Sequence, residues 1–459
     1  MTGFDFGLDL RKGLSTSDAN RLRKISNAHA TEGKTIKKRP GLVLTATLEA
    51  GTVGLFPGKG KLNTFYATGT ITHANSLFVA NKVAHPTLSI PLTKVHYADV
   101  FNNFIYTSVE YNNGDIKHHY LDGTSPTHIA DTNCPNTKQL AKLSSKIWAI
   151  GTTGETVRFC KTNAPRDWTT ANDAGFLPVG LQQTGSNIAT ALGFYANRLV
   201  VFFSDSSQIW QVDVDPAKHA FLQSIDVGTV LNYSQVNMAG DVFFLSKGGV
   251  RTITRQELTN NLIDADVGSP IDRQLITGSI IDITTARGQF YRGGGQYWLY
   301  AGNKVAVYTF SRTSGLSAWS TYQYPFNIDY MCELNAELYI RSGDNVYRVD
   351  QFTKTDAGTL YSVDIEMAYL DFKSPGLLKR ILAMDGVFTG TCNIAHRYDA
   401  RYTDLITAPA VTMSGDTRPS NLFPVELMAT NIAPVINNLD NQEFELHQLN
   451  YYFDQKPPK

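Results

Sequence analysis

The chain has 459 residues, 41 basic against 41 acidic, with 42% hydrophobic and only 18% charged residues. A protein that wraps nucleic acid carries a positive excess to displace counterions, so whole-surface DNA binding is excluded and only a local patch is left open. The length is ample for one large β-domain plus extras, and core size is not limiting.

Aromatic residues make up 11% and glycines number 36, and neutral polar residues replace much of the usual charge. β-branched and aromatic side chains suit a pleated, half-buried surface, and glycine suits turns, so short strands are expected rather than long helices. The opening residues lack an apolar run of signal-peptide length, and no run of about 18 apolar residues occurs. Synthesis in cytoplasm and no membrane span are the expectations.

Residues 1–42 read as a basic N-terminal arm. They hold nine Lys/Arg against four acids, a net of +5. "STSDANRLRKISNA" predicts one short helix, capped by Ser15 or Ser17, with Leu22 and Ile25 on its apolar side. The densest positive run follows in "KTIKKRPGL": Lys34, Lys37, Lys38 and Arg39 are the candidate interaction residues. Pro40 biases Arg39 toward extended geometry, so the stretch reads as a hinge into the next strand. Its charge is expected to meet an acidic neighbour in the stack, such as the −4 C-terminal domain of an adjacent subunit, with channel DNA as the less favoured option.

Residues 43–352 repeat loosely at roughly 40 residues, the period of propeller blades. "ALGFYANRLVVFFSDSSQIWQVDVD", "VNMAGDVFFLSKGGVRTITR" and "GGQYWLYAGNKVAVYTFSR" each pair strand formers across a turn, a hairpin signature. The fold class is therefore all-β: a β-propeller of about seven blades, six to eight being open, followed by a smaller C-terminal β-domain. A β-sandwich is the competitor, but it rarely repeats at this period. Residues 353–459 read as that separate, sandwich-like β-domain; 360–459 carry eight basic and twelve acidic residues, a net of −4.

Candidate chemistry is sparse. Asp213 and Asp215 share one strand face, and paired carboxylates can bind Ca²⁺ or cleave glycosides, but a solvated strand end before Pro216 is the plainer reading. His118 and His119 are adjacent, so on a strand they face opposite ways and cannot chelate one ion together; they are expected at the surface or an edge. Ser204, Asp205 and Trp210 resemble a sialidase Asp-box, with Ser207 where that box has glycine. Gly293, Gly294 and Gly295 resemble a single kelch diglycine, whose plain role is a tight turn. Cys134, Cys160, Cys332 and Cys392 are scattered without a CxxC, which indicates buried or half-buried thiols of a reducing compartment and no zinc or redox site. No catalytic residues, no cofactor and no metal are expected, and the chain reads as a non-enzyme.

Several stretches together resemble a known family. "KKRPGL" after a basic arm, then "GFYANRLVVFFSDSSQIWQVDVD" and "VGTVLNYSQVNMAGDVFFLSKGGVRTI", are similar to the tail nozzle proteins of short-tailed bacteriophages, also called packaged-DNA stabilisation or tail tubular proteins. Arg198, Asp205, Trp210, Gly228, Leu245, Ser246, Gly249 and Arg251 fill the matching places. "NAPRDWT" (Arg166, Trp168), "LDF" (Leu370 to Phe372) and "ELMATNIAP" (Glu426 to Pro434) add to the likeness. The resemblance implies a virion protein of the head-to-tail connector complex, assembled in host cytoplasm. It implies a hexameric ring that retains packaged double-stranded DNA and conducts it at ejection, with an adaptor ring above and tail fibre or needle proteins as partners. The alternative is a carbohydrate-active, tail-depolymerase-like propeller enzyme, motivated by the aromatic content and by Asp205, Asp213 and Asp215.

Overall fold

The computed structural model describes residues 3–13, 15–66, 71, 73–122, 126–183, 187–238, 240–254, 266–407, 411–414 and 422–455. Among them, seven small antiparallel-dominated sheets follow one another along the chain. Blade one holds Thr52–Gly58, Lys61–Tyr66 and Phe78–Lys82, its last two strands parallel. Blade two is Leu92–Phe101, Phe104–Tyr111, Ile116–Leu121 and Pro126–His128. Blade three is Leu140–Leu143, Lys146–Ile150, Val157–Phe159 and Gly175–Leu177. Blade four is Ala191–Tyr195, Arg198–Phe202, Ser207–Gln211 and Ala220–Ile225. Blade five is Val236–Met238, Asp241–Ser246 and Gly249–Thr252. Blade six is Arg287–Tyr291, Gln296–Ala301, Lys304–Ser311 and Leu316–Gln323. Blade seven is Tyr330–Leu334, Glu337–Ser342 and Asn345–Asp350, and the early strand Gly41–Thr47 joins it as a fourth.

The blades are radial. One central cavity of about 290 Å³ is lined by Phe56, Tyr97, Ala141, Gly193, Asn237, Gly288 and Met331, one from the first strand of each of the seven sheets. Packing follows the period of two. In blade four Leu199, Val201 and Phe203 face the core shared with blade three, while Val200 and Phe202 face Val242 and Phe244 of blade five. Every other adjacent pair shares such a core, from Phe56 and Val95 between blades one and two to Leu55 and Leu338's neighbour Tyr339 between seven and one. Both faces of each blade are thereby buried, and the ring leaves only short outer edges. The fold is all-β and propeller-like, as the hairpin repeat indicated.

The chain ends depart from expectation. Residues 15–28 do not form a helix. Leu22–Ser26 is a strand inserted between Leu316–Gln323 of blade six and Val363–Met367 of the C-terminal domain. It turns blade six into a nine-stranded sheet that continues through Ile432–Asn438, Thr391–Tyr398 and Val411–Ser414. A second sheet contains Ala28–Ala30, Ile36–Lys38, Glu445–Gln455, Lys379–Thr389 and Phe423–Ala429. Met384, Phe388 and Leu446 from the second sheet meet Ile394, Ile436 and Ile365 from the first in one core. The N-terminal segment thus supplies strands to both layers of the C-terminal domain and to blade seven, rather than standing apart as an arm. The helix reading failed because Leu22 and Ile25 are claimed by this distant sheet, where Leu22 pairs with Met367.

Candidate functional site

The basic stretch is dispersed by strand geometry. Along Ile36–Lys38 successive side chains alternate sides, so Lys37 is half-exposed and Lys38 is buried. Lys34 lies in the preceding turn and pairs with Asp5 at 2.9 Å. Lys37 Nζ lies 2.6 Å from Glu443 Oε1 and 3.9 Å from Glu445 Oε2. The Glu443 hydrogen bond holds the Lys37 ammonium above its ordinary range, and Lys37 holds Glu443 below its own. The acidic partner is therefore the C-terminal domain of the same chain. The four residues do not form one positive patch, which corrects the expectation of a shared interaction surface.

Lys38 Nζ, fully buried, donates to Asn438 Oδ1 (2.8 Å) and the Asp440 carbonyl (2.6 Å), 4.8 Å over the Tyr361 ring. Burial pushes its pKa down to about 8, with Asp440 opposing. Arg39 is also fully buried, and all five of its N–H donors are used. Nη1 and Nη2 fork onto Asp356 at 2.8 and 2.5 Å; the other donors reach Asn27 Oδ1, the Pro40 carbonyl and the Gln323 carbonyl. Its guanidinium stacks 3.7 Å from the Tyr361 centroid and 4.3 Å from Tyr324. Burial works against the charge, yet Tyr324 and Asp356 hold the group above its ordinary pKa. Neither residue can meet DNA or a neighbour from this position.

A cleft of about 610 Å³ lies over this seam, lined by His29, Lys37, Lys38, Gly293, Phe352 and Glu443 among others. The three glycines do make a tight turn, with Gly295 at φ +59°. Phe352 is 86% exposed at the cleft rim.

The other sequence candidates are scattered. Asp213 accepts from the Asp215 amide at 3.0 Å, and Asp215 caps the short turn Pro216–Lys218. Asp205 sits before strand Ser207–Gln211 and pairs with Lys247 at 2.5 Å. Asp205 and Asp213 thus flank opposite ends of one strand, roughly 25 Å apart at about 3.3 Å per residue, and the three acids do not converge. His118 and His119 are buried, not at the surface. His118 contacts the Tyr106 hydroxyl at 3.0 Å and the Thr137 carbonyl at 2.8 Å, and burial pushes it down to about 4. Blade stacking covers both strand faces, so facing opposite ways did not leave either ring in solvent. All four cysteines are buried thiols. No group of three or more His, Cys, Asp or Glu is placed to hold a metal among the described residues, and no helix there is long and apolar enough to cross a membrane.

The residues carrying the family likeness are structural. A Cβ on Gly228 would lie 2.1 Å from the Phe203 carbonyl. Gly249 has φ +116°, and the Ser246 hydroxyl donates to its carbonyl at 2.8 Å. Arg251 bridges Asp266 (3.0 Å) and Asp272 (2.7 Å), tying blade five to the short helix Asp272–Ile276. Trp168 is buried and donates to the Pro165 carbonyl, and Arg166 stacks on Tyr120.

One grouping had no sequence signal because its members come from blades two and six and from the segments before blades three and five. At the channel mouth Arg287 stacks 4.5 Å over Tyr233, and Lys94 lies 5.9 Å over the same ring. His96 bonds the Tyr233 hydroxyl through Nδ1 and Glu110 through Nε2, the latter at 2.5 Å. Burial lowers His96 against the pull of Glu110, so the imidazole is neutral at pH 7. Glu110 stays ionised, with Lys138 at 3.3 Å.

No family model matches the chain, and no curated protein matches it. Among solved structures, YCF48 bound to D1 peptide is 12% identical with a TM-score of 0.39, over 68% of this chain and 95% of that one. A functionally unknown protein from Desulfotomaculum acetoxidans is 9% identical with a TM-score of 0.35, over 54% of this chain and 79% of that one. At these scores the propeller is established by the chain's own sheet order and channel lining, not by the likeness.

Proposed function

We propose that this chain is a structural subunit of a short-tailed phage tail, the nozzle or head-to-tail stabilisation protein. In this reading it forms a hexameric ring around the DNA exit channel, beneath an adaptor ring and in contact with fibre or needle proteins. The observation that carries the reading is the nine-stranded sheet running from blade six through Leu22–Ser26 into the C-terminal domain. It joins propeller and C-terminal domain by one continuous sheet, which suits a part that transmits load. The propeller's own cavity, about 290 Å³, is far too small to pass a duplex. A duplex therefore passes between subunits, through a ring that closes by rotation with heterologous contacts. A neutral wall suits a conduit, because a strongly basic one would bind phosphates and slow passage. The carbohydrate-active reading has lost its motivating geometry, since Asp205 lies far from Asp213 and Asp215.

Cryo-electron microscopy of phage particles and of the purified protein tests the proposal. A closed ring with an axial opening wide enough for a duplex is expected. A protein that stays monomeric at every concentration and is absent from particles overturns it.

A further inference from the structure

Three cations meet between blades one, two, six and seven with donors left over. Arg287 opens the first strand of blade six and is half-buried. It stacks on Tyr233, with Tyr330 at 5.9 Å, and makes no hydrogen bond or ion pair among the described residues. Arg341 is 8% exposed. Its Nη1 donates to the carbonyls of Thr52 and Gly343 at 2.8 Å each, and Nη2 lies 3.6 Å from Asp329. Its Nε is buried without a partner. Lys94, from blade two, lies 5.9 Å over the Tyr233 ring and has no carboxylate within ion-pair distance among the described residues. All three line one pocket of about 380 Å³, whose other charged members are Asp329 and Asp344.

Both acids also accept backbone amides. Asp329 accepts from the Gly343 amide at 2.7 Å and Asp344 from the Thr52 amide at 3.2 Å. The cations also oppose one another: burial and then the Arg287 charge lower Lys94, and burial lowers Arg341 with Asp329 and Asp344 opposing and Arg287 adding to the lowering. A buried guanidinium N–H without an acceptor is costly, and like charges at close range disfavour each other. A small anion relieves the crowding of like charges.

We propose that this pocket binds a small free oxyanion, phosphate- or carboxylate-bearing, held by the Arg287 fork with Lys94 at the rim and the Arg341 charge beside it. The guanidinium fork matches the paired oxygens of either group, and the Tyr233 face beneath Arg287 keeps it planar and oriented. The site is independent of the ring reading, since it lies within one propeller.

Calorimetric titration of the purified chain with inorganic phosphate and, separately, with citrate tests it. Saturable binding of one or both at about 1 mM or tighter is expected. Arg287→Gln should weaken it at least tenfold, and Lys94→Gln, on the exposed side, several-fold, while Arg312→Gln on a remote loop changes nothing. Circular dichroism melts separate lost binding from lost fold, and Lys94→Gln keeps the test informative if Arg287→Gln unfolds. Non-saturating heats with both anions, or unchanged binding in both pocket variants, overturns the proposal. Binding of a single-stranded oligonucleotide but of neither small anion also overturns it.

Discussion

Replacing Arg39 by Met probes how the propeller is closed. The change removes a guanidinium with five used donors and leaves the Asp356 carboxylate, 2% exposed, beside Tyr324 and Tyr361 with no cation. Breaking a buried pair from one side costs about 3–5 kcal/mol, because the remaining charge stays desolvated. The loss should be local. Arg39 lies two residues before the closing strand Gly41–Thr47, whose Gly41 and Leu42 amides donate to the carbonyls of Thr353 and Thr355. At about 1.4 kcal/mol per tenfold, hydrogen-exchange protection of the Val43–Ala46 amides should fall by roughly two to three and a half orders of magnitude. Amides of Ile147–Ala149 in blade three should keep theirs. The double variant Arg39→Met with Asp356→Leu should recover most of the protection, since removing both charges removes the stranded one. A fall of less than about tenfold at Val43–Ala46, or an equal fall in every blade, would refute the local-closure reasoning.

Two further variants test the seam and the family-like residues. Lys38 has a folded pKa of about 8 against an ordinary 10.5. Between those values the unfolded chain binds more protons, so stability rises with pH across this window by about 3 kcal/mol, and the full cost is present below pH 8. Urea midpoints at pH 7 to 10.5 should show that rise in the natural chain and lose it in Lys38→Met; parallel profiles would count against a buried, partly paired ammonium. Gly228→Ala should destabilise by about 3 kcal/mol, because its methyl would meet the Phe203 carbonyl and the Ser206 amide at 2.1 and 2.6 Å. Trp210 fluorescence through a urea titration would report it, and an unchanged midpoint would mean the 203–206 turn relaxes freely.

The blades were legible because their information is local. In "NRLVVFFSDSSQIW" the alternation of Leu199, Val201 and Phe203 against Val200 and Phe202 and the turn at 204–206 lie within fifteen residues, and they decide pairing and both packing faces together. The chain ends were not, because their information is distant. Ile36 pairs with Leu446 and Arg39 meets Asp356, more than 300 residues on, so no window over 15–42 contains the partner that makes Leu22–Ser26 a strand. The channel mouth was illegible for the same reason, since Lys94, Tyr233, Arg287 and Arg341 are neighbours only once the ring has closed.

The opposite charges of the two ends illustrate what composition alone cannot assign. A +5 opening segment and a −4 closing domain suggest surfaces meant for neighbours. The structure pairs Lys37 with Glu443 and Glu445, and Lys38 with Asp440, inside one chain. The half-exposed Lys37 pair contributes little, on the order of 0–1 kcal/mol. The seam is held by strand pairing of Ile36 with Leu446 and by the buried Arg39–Asp356 fork. Changing Lys37 to Gln should therefore leave closure and assembly nearly intact, whereas Arg39 cannot be changed without loosening blade seven. A basic run read as one unit in the sequence is thus two different things in the fold: a tolerant outer pair and an intolerant inner one, separated by the single-residue step that turns a strand side chain from solvent to core.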